Sequence, residues 1–135
     1  MLMVRGVRGA TTTHANDAES IRSATVELLQ AMIAANGIDE EHVASAMFTT
    51  TPDLNATFPA AAARGIGWTR VALLGAQEMD CPNGVPMCIR VLIHWNTEKP
   101  LDAIRHVYMH GAQRLRPDLY PENKIVVEDE ELPRS

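Results

Sequence analysis

The chain carries one long helical pattern among segments that otherwise have strand patterns. From Ile21 to Ile33 the apolar residues recur three and four positions apart, as on one face of an amphipathic helix. Asn16 or Asp17 is suited to cap the start of this helix, and Gly37 follows its end. The sequence therefore predicts one long helix between these caps.

Strand patterns occupy most of the remaining chain. Short turns of helix are expected at 60–63 and 100–104, and residues 107–109 fit either helix or strand. Several of the strands are apolar on both alternating faces, whereas one helix covers only one face of a sheet. We therefore predict an α+β fold with one sheet, whose second face is covered by other subunits. The predicted strands are 2–9, 43–50, 70–76, 87–96 and a last one that ends at Leu115.

Length and composition exclude several classes of protein. With 135 residues, 46% of them hydrophobic, the chain is sized for one domain with a substantial core. Its net charge of -5 provides no broad positive surface for nucleic acid. No apolar run approaches the roughly 18 residues of a membrane span, and Arg5 and Arg8 lie where a signal peptide requires apolar residues. We therefore expect a cytoplasmic protein with no nucleic-acid or membrane partner, whose Cys81 and Cys88 are free thiols.

Arg90 lies inside the strand pattern MCIRVLIHW and needs a partner there. Alternation places it on the face of Cys88 and His94, opposite Ile89. An unpaired guanidinium in the middle of a strand is costly, because burial removes its hydration. An internal ion pair with Glu78, at the end of the run VALLGAQEM, would satisfy it, and so would an anionic ligand. The spacing favours neither alternative.

Arg8 and Tyr108 are weaker candidates for an anion site. Gly9, next to Arg8, allows a ligand to approach the backbone closely, but it also suits an ordinary β-bulge. Period 2 places Arg5 on the opposite face of the strand, so Arg5 and Arg8 do not serve one site together. Tyr108 could donate a hydrogen bond to an anion or lie at the edge of the core.

The sequence offers little for metal-driven or covalent catalysis. His106 and His110 have i,i+4 spacing, but no third ligand stands in a recognisable pattern, so we expect no metal site. Phosphate loops, nucleophile elbows and HExxH motifs are absent from the sequence. Ten of the twelve cations are arginine, which suits two-pronged recognition of carboxylate or phosphate, or else reflects a GC-rich genome.

Six short segments together carry a family resemblance. They are RGVRGATT (5–12), TPDLNATFPAAAAR (51–64), QEMD (77–80), CIRVL (88–92), IRHVY (104–108) and LRPDL (115–119). In this order and near this spacing, the chain resembles the monofunctional chorismate mutases of the small trimeric α/β class. The resemblance extends over residues 5–119, which is 115 of the 135 residues, and the conjunction of motifs is highly specific.

The resemblance implies a fold, an activity and a substrate. The fold would be a mixed five-stranded sheet packed on one long helix, in a pseudo-barrel homotrimer of the chorismate mutase-like fold. One domain would occupy 1–119, followed by a flexible C-terminal tail at 120–135. The protein would be an isomerase that rearranges the dianion chorismate to prephenate in a pericyclic reaction without a cofactor. This reaction belongs to phenylalanine and tyrosine biosynthesis. The active sites would lie at the subunit interfaces.

The resemblance also implies roles for particular residues. Arg90 would face the breaking ether oxygen and a carboxylate of the substrate, and Arg8 would bind a carboxylate. Glu78 would accept a hydrogen bond from the ring hydroxyl, which places it in one site with Arg90, and Tyr108 would assist. The substrate-binding residues implied in this way are Arg8, Phe58, Arg64, Leu74, Gly75, Glu78, Arg90, Tyr108, Leu115 and Arg116.

Some of these residues would have a special position. Phe58 and Arg64 would come from the neighbouring subunit, and Leu115 and Arg116 would close the pocket together with the tail. Some relatives have a cysteine that contacts substrate where this chain has Gly75, so one side-chain contact would be missing.

Two other functions are compatible with a trimer that binds carboxylates. The imine/enamine deaminases have a similar trimeric architecture and an interface arginine, but they would not carry TPDL, QEMD and LRPDL together. A non-catalytic carboxylate-binding trimeric module would keep the pocket without turnover, and the intact Arg8, Glu78, Arg90 and Tyr108 argue against it.

Overall fold

The computed structural model describes residues 1–120, which form one mixed sheet with helices. The strands are β1 (Met3–Thr12), β2 (Val43–Thr50), β3 (Ala72–Gln77), β4 (Cys88–Thr97) and β5 (Val107–Tyr108), and the α-helices are α1 (Ala18–Asn36) and α2 (Ala60–Gly65). Single turns of 3-10 helix at Glu40–His42 and Leu101–Ala103 and a longer 3-10 segment at His110–Leu115 complete the described elements. The predicted five-stranded α+β fold with one long helix is confirmed.

The sheet has the strand order β3-β2-β4-β1-β5. The central strand β4 is antiparallel to β1 and to β2, whereas the two outer pairs, β2 with β3 and β1 with β5, are parallel. β4 therefore brings together segments that are far apart in the sequence. Any side chain in the middle of β4 has β1 and β2 as its immediate neighbours.

Helix α1 has the caps that the sequence predicts. The Asp17 side chain accepts a hydrogen bond from Ser20 N at 2.7 Å, and Gly37 ends the helix with a φ of 76° that favours glycine. The helix buries one face, which includes Leu28 and Met32, against β1 and the rest of the sheet. Amphipathic spacing thus places the largest core cluster on the α1 side of the sheet.

The two faces of the sheet have different surroundings. Val7, Phe48 and Ile93 are fully buried on the face that packs against α1. On the opposite face, Val4 and Leu74 are each 59% exposed. Ala10 and Cys88 also lie on this face but are buried under Tyr108, Ala112 and Leu115, so the described residues leave the face uncovered only outside this cluster.

The prediction of a last strand that ends at Leu115 is wrong beyond Tyr108. β5 contains only two residues, and His110 then adopts a φ of 51°, a left-handed backbone conformation that a continuing strand does not allow. The Gly111 amide donates to Thr12 Oγ1 at 3.1 Å, at the end of β1, where no further β1 residue is left to pair. The chain therefore turns into 3-10 helix up to Leu115 instead of extending the sheet.

Smaller differences occur at other boundaries. β1 continues three residues beyond the predicted end, to Thr12, because β4 pairs with it along its whole length. Of the predicted tail at 120–135, residues 121–135 lie outside the described part of the chain. Within residues 1–120 no helix combines the length and the apolar character needed to cross a membrane.

Candidate active site

Arg90 occupies the middle of the central strand and faces away from α1. Its partners in the two neighbouring strands are Ala10 in β1 and Thr49 in β2. The adjacent Ile89 and Val91 are buried on the α1 face, so alternation places the guanidinium on the opposite face, where the side chain is 21% exposed. Within residues 1–120 its buried Nε has no hydrogen-bond partner. A fixed cation with an unused donor is the central feature of this face.

Glu78 is held next to Arg90 by β2. Its backbone amide donates to Thr50 O at 2.8 Å, which extends the pairing of β2 and β3 by one residue. Its Oε2 accepts a hydrogen bond from Thr49 Oγ1 at 3.0 Å and lies 3.5 Å from Arg90 Nε. The ion pair with Glu78, one of the two alternatives that the spacing left open, therefore exists, but it is a contact between charges rather than a hydrogen bond through Nε.

Arg8 and Tyr108 reach the same place from β1 and β5. Arg8 stands opposite Leu92 of β4, and Tyr108 stands opposite Ala10 of β1. They line an open cavity of about 370 Å³ together with Arg90 and Glu78. Its other lining residues are Gly9, Ala10, Met47, Thr49, Val91 and Leu92. Two arginines against one carboxylate make this cavity suitable for an anion.

A second cavity continues from the first past Glu78 and Arg90. It has a volume of about 510 Å³ and is lined by the loop that joins β3 to β4, including Asp80 and Pro82. Since Glu78 and Arg90 line both cavities, the two spaces are parts of one site. The loop at 79–86 therefore forms one wall of the region in front of Arg90.

Arg116 adds a third cation beside Tyr108. Its guanidinium carbon lies 5.7 Å from the centre of the Tyr108 ring, within the range of a cation–π contact. Its Nε and Nη2 donate to the two carboxylate oxygens of Asp118 at 3.1 and 2.9 Å. The predicted grouping of Arg8, Tyr108, Arg90 and Arg116 around one region is thus compatible with the geometry.

Four of the other predicted binding residues do not line the cavity of their own chain. Phe58 is 77% exposed just before α2, and Arg64 is exposed in α2. Leu74 and Gly75 are exposed in the edge strand β3. Substrate contacts from these residues to the cavity around Arg90 would therefore require a second copy of the chain, and they stay predictions.

Leu115 differs from its predicted place at the pocket. Its side chain is fully buried and packs in a cluster with Tyr108, Ala112 and Cys88. The 3-10 helix directs the Leu115 side chain into this buried cluster, where it packs with Tyr108. A direct substrate contact by Leu115 stays a prediction, and this burial does not favour it.

His106 is a residue of the site that sequence reasoning missed. Its Nδ1 accepts a hydrogen bond from the backbone amide of Arg8 at 3.0 Å. Burial lowers the pKa of the imidazole, and the positive charges of Arg116 and Arg8 lower it further. The signal in the sequence was its spacing of two residues from Tyr108, which places both side chains on the same side if the chain is extended there.

The histidine pair that the sequence singled out is divided between two environments. His110 Nε2 lies 2.8 Å from Glu27 Oε1, on α1, whereas His106 bonds to β1.

Cys88, two residues before Arg90, is buried, and this burial raises the pKa of its thiol. Both cysteines are free thiols, as predicted.

Comparison with known proteins agrees with this arrangement. Residues 4–119 match the family model of chorismate mutase type I. The chain is 53% identical to chorismate mutase AroH of Thermus thermophilus over 118 residues, 87% of this chain and 97% of the relative. It is 44% identical to chorismate mutase AroH of Bacillus subtilis over 119 residues, again 87% of this chain and 94% of the relative.

A solved structure extends the agreement to the fold. A chorismate mutase from Clostridium thermocellum superposes with a TM-score of 0.80 at 46% identity, over 82% of this chain and 98% of that one. The matched family model covers residues 4–119, which include all the described strands except Met3 of β1 and every residue that lines the first cavity. The chain belongs to the chorismate mutase type I family.

Proposed function

We propose that this protein catalyses the rearrangement of chorismate to prephenate in the cavity in front of Arg90. In this isomerisation one carbon–oxygen bond of the ether breaks while one carbon–carbon bond forms within the same molecule. No atom is gained or lost, and no proton passes to the protein. The product is a precursor of phenylalanine and tyrosine, so the activity belongs to aromatic amino acid biosynthesis.

The observation that carries the proposal is the partly buried guanidinium of Arg90, whose buried Nε is an unused donor within residues 1–120. The ether oxygen gains negative charge only as its bond breaks, so a fixed cation beside it stabilises the transition state more than the bound substrate. The central position of β4, between β1 and β2, fixes this guanidinium before substrate arrives. A site of this kind accelerates a reaction that needs no nucleophile.

The remaining residues of the cavity bind and orient the dianion. Arg8 would pair with a substrate carboxylate, which a guanidinium is suited to do through two hydrogen bonds, and Arg90 would reach a carboxylate as well as the ether oxygen. Arg116, paired with Asp118, would help to close the pocket beside Tyr108. Glu78, held by Thr49, would accept a hydrogen bond from the ring hydroxyl. Tyr108 would contribute a further polar contact at the edge of the cavity. Together these contacts would hold the substrate in the compact conformer that reacts.

We further propose a homotrimer with its active sites at the interfaces between subunits. Val4 and Leu74 are exposed apolar residues on the face opposite α1 in the single chain, and larger exposed apolar patches mark interaction sites. Phe58 and Arg64 are exposed and lie outside their own cavity, so a neighbouring copy would have to present them. Leu74 and Gly75, on the exposed edge strand, would contribute in the same way.

The trimer has its own test. Light scattering at micromolar concentration should give three times the mass of the chain, and Leu74→Asp should dissociate the assembly. Leu101→Asp, at a similarly exposed leucine far from β3 in sequence, is the matched control and should leave the mass unchanged. A stable, active monomer of the unmutated protein would contradict the assembly.

The domain proposed here is residues 1–119, supported by a family match that ends at residue 119. The flexible tail at 120–135 and the cytoplasmic location stay predictions of the sequence. We predict that a chain cut after Leu119 keeps the fold of the domain. Its far-ultraviolet circular dichroism, expressed per residue of the domain, should match that of the full chain.

The proposed activity is tested by ultraviolet absorbance, without added metal or cofactor. Chorismate should disappear and prephenate should form with the unmutated protein, and Arg90→Ala is the matched control that should lose most of this activity. An imine/enamine deaminase would leave chorismate unchanged and hydrolyse imines. A non-catalytic carboxylate-binding module would bind chorismate without converting it. Either result would overturn the proposal.

A further inference from the structure

We infer that His106 is a positioning residue for Arg8: its imidazole fixes the backbone from which the Arg8 guanidinium enters the cavity. The inference rests on the proposed function, because it assigns to Arg8 the binding of a substrate carboxylate. It concerns a side chain that points to the backbone of β1 rather than to the substrate. The contact that carries it is the hydrogen bond from Arg8 N to His106 Nδ1, 3.0 Å long.

The hydrogen bond replaces one that the sheet does not supply. β5 pairs with β1 only at Gly9 and Ala10, so its backbone ends before it reaches Arg8. The amide of Arg8 is directed toward this side of β1, and a side chain of the segment before β5 accepts its hydrogen. His106 thus extends the pairing of β1 and β5 by one residue, at the residue that enters the cavity.

The charges around His106 fix its protonation state and its tautomer. Arg8 and Arg116 both act on the ring, Arg116 being paired with Asp118, and the ring is half-buried. Burial lowers the pKa of the imidazole most, and the charges of Arg116 and Arg8 lower it further, which keeps the ring neutral at neutral pH. Because Nδ1 accepts the Arg8 amide hydrogen, the proton of the neutral ring is on Nε2. The ring holds Arg8 without competing for the substrate carboxylate.

Two amide substitutions separate this role from a general effect of losing the imidazole. In His106→Asn the amide oxygen occupies the topological position of Nδ1 and can accept from Arg8 N. In His106→Gln the amide lies one bond farther out, at the position of Nε2. Both variants are polar and uncharged, so they differ mainly in whether the acceptor reaches β1.

Steady-state kinetics with chorismate distinguishes the two. His106→Gln should raise KM by about tenfold, the equivalent of one net hydrogen bond, with kcat changed less than about twofold. His106→Asn should keep KM within about twofold of the unmutated protein. His110→Gln, which alters the histidine four positions on, is the control and should leave both constants unchanged. Equal KM values for the Asn and Gln variants would overturn the inference.

A readout without substrate keeps the inference independent of the proposed function. Nitrogen NMR of the unmutated protein near pH 7.5 should show His106 Nδ1 unprotonated and Nε2 protonated. The Arg8 amide should exchange its hydrogen faster in His106→Gln than in His106→Asn. A protonated Nδ1, or equal exchange rates, would overturn the positioning role even if chorismate is converted. Failure to convert chorismate with the NMR result intact would overturn only the proposed function.

Discussion

The Glu78 carboxylate stands 3.5 Å from Arg90 Nε, and the same Oε2 accepts a hydrogen bond from Thr49 Oγ1 at 3.0 Å. Its Oε1 accepts a second hydrogen bond, from the Met79 amide at 3.3 Å. Thr49 and Arg90 are direct neighbours across β2 and β4, so one strand pair sets both distances from Oε2. The threonine keeps the carboxylate from closing fully on the guanidinium. Arg90 consequently retains a donor for the substrate.

Removal of the Thr49 hydroxyl should therefore reduce activity through Glu78. In Thr49→Val the side-chain shape is preserved, and the released carboxylate can pair more closely with Arg90. We expect kcat/KM to fall by about five- to tenfold, the size of one lost hydrogen bond. Thr49→Ser keeps the hydroxyl and is the matched control, which should stay within about twofold of the unmutated protein. Equal kinetics of the Val and Ser variants would show that Glu78 does not depend on Thr49.

Loss of the Arg90 charge should lower the rate of the chemical step. Removing one preorganised donor to a developing oxyanion costs about 10² to 10³ in kcat, and loss of a full charge should cost at least that. Arg90→Ala should therefore lose kcat by this factor while the protein stays folded. Arg90→Lys keeps a charge without the planar fork that spans two oxygens, so it should also be badly impaired.

Two outcomes would count against this role of Arg90. One is an Arg90→Ala variant that folds and keeps kcat within a few-fold of the unmutated protein. The other is a variant that unfolds, since that would make the contact with Glu78 a structural ion pair. Circular dichroism and light scattering on the same samples distinguish these cases from a folded, inactive enzyme.

Local patterns in the sequence were enough to predict most elements but not how they meet. The caps Asp17 and Gly37 and the amphipathic spacing between them are local signals, and α1 begins and ends where they indicate. Alternation around Arg90 likewise identified the face to which it belongs. These features depend on neighbours a few residues away, for which sequence spacing is a direct measure.

The features that the sequence did not reveal depend on contacts between distant segments. The bond between Arg8 and His106 joins residues 98 positions apart, and the end of β5 is set by the bond from Gly111 to Thr12, 99 positions apart. Val107 and Tyr108 have strand character, but nothing local indicates that β1 ends only two residues beyond Ala10, the partner of Tyr108. The family resemblance was enough to group the site residues. The hydrogen bond from the Arg8 amide to His106 was visible only in the structure.

Gly9 is the position in the site where a side chain would disturb the core. A Cβ at Gly9 would overlap Met32 Sδ and lie 3.1 Å from Leu28 Cδ1, both on the buried face of α1. Gly9→Ala should reduce the free energy of unfolding by about 1–3 kcal/mol, because the fully buried Met32 and Leu28 must move. The measurement is denaturant unfolding at equal protein concentration.

Gly65→Ala is the matched control for this substitution. A Cβ at Gly65 meets no atom of the described chain within 4 Å, and the residue ends a short helix. It reduces the entropy of the unfolded chain as much as Gly9→Ala does, so it should be neutral or slightly stabilising. Equal stability of the two variants would mean that α1 accommodates a larger residue at Gly9 without cost.

The rate at saturating substrate should be nearly independent of pH between about 6.5 and 9. The proposed reaction transfers no proton to the protein, and the cations of the site are arginines, which stay charged throughout. The lowered pKa of His106 and the raised pKa of Cys88 keep both side chains uncharged in most of this range. A bell-shaped dependence of kcat centred near neutrality would show that a titrating group takes part in the reaction.

The stability of the protein should depend on pH through His106. Burial and the charges of Arg116 and Arg8 lower its pKa in the folded protein from the ordinary value of 6.5, so between the two values the unfolded chain binds more protons than the folded one. The contribution of His106 to the free energy of unfolding is therefore complete above pH 6.5, and it is lost as the pH falls through the lowered pKa. His106→Asn cannot titrate, whereas the carboxylates that ionise at lower pH are common to both proteins. Between pH 7.5 and 5.5 the Tm of the unmutated protein should therefore fall more than that of His106→Asn, and equal falls would show that the imidazole titrates alike in the folded and unfolded chain.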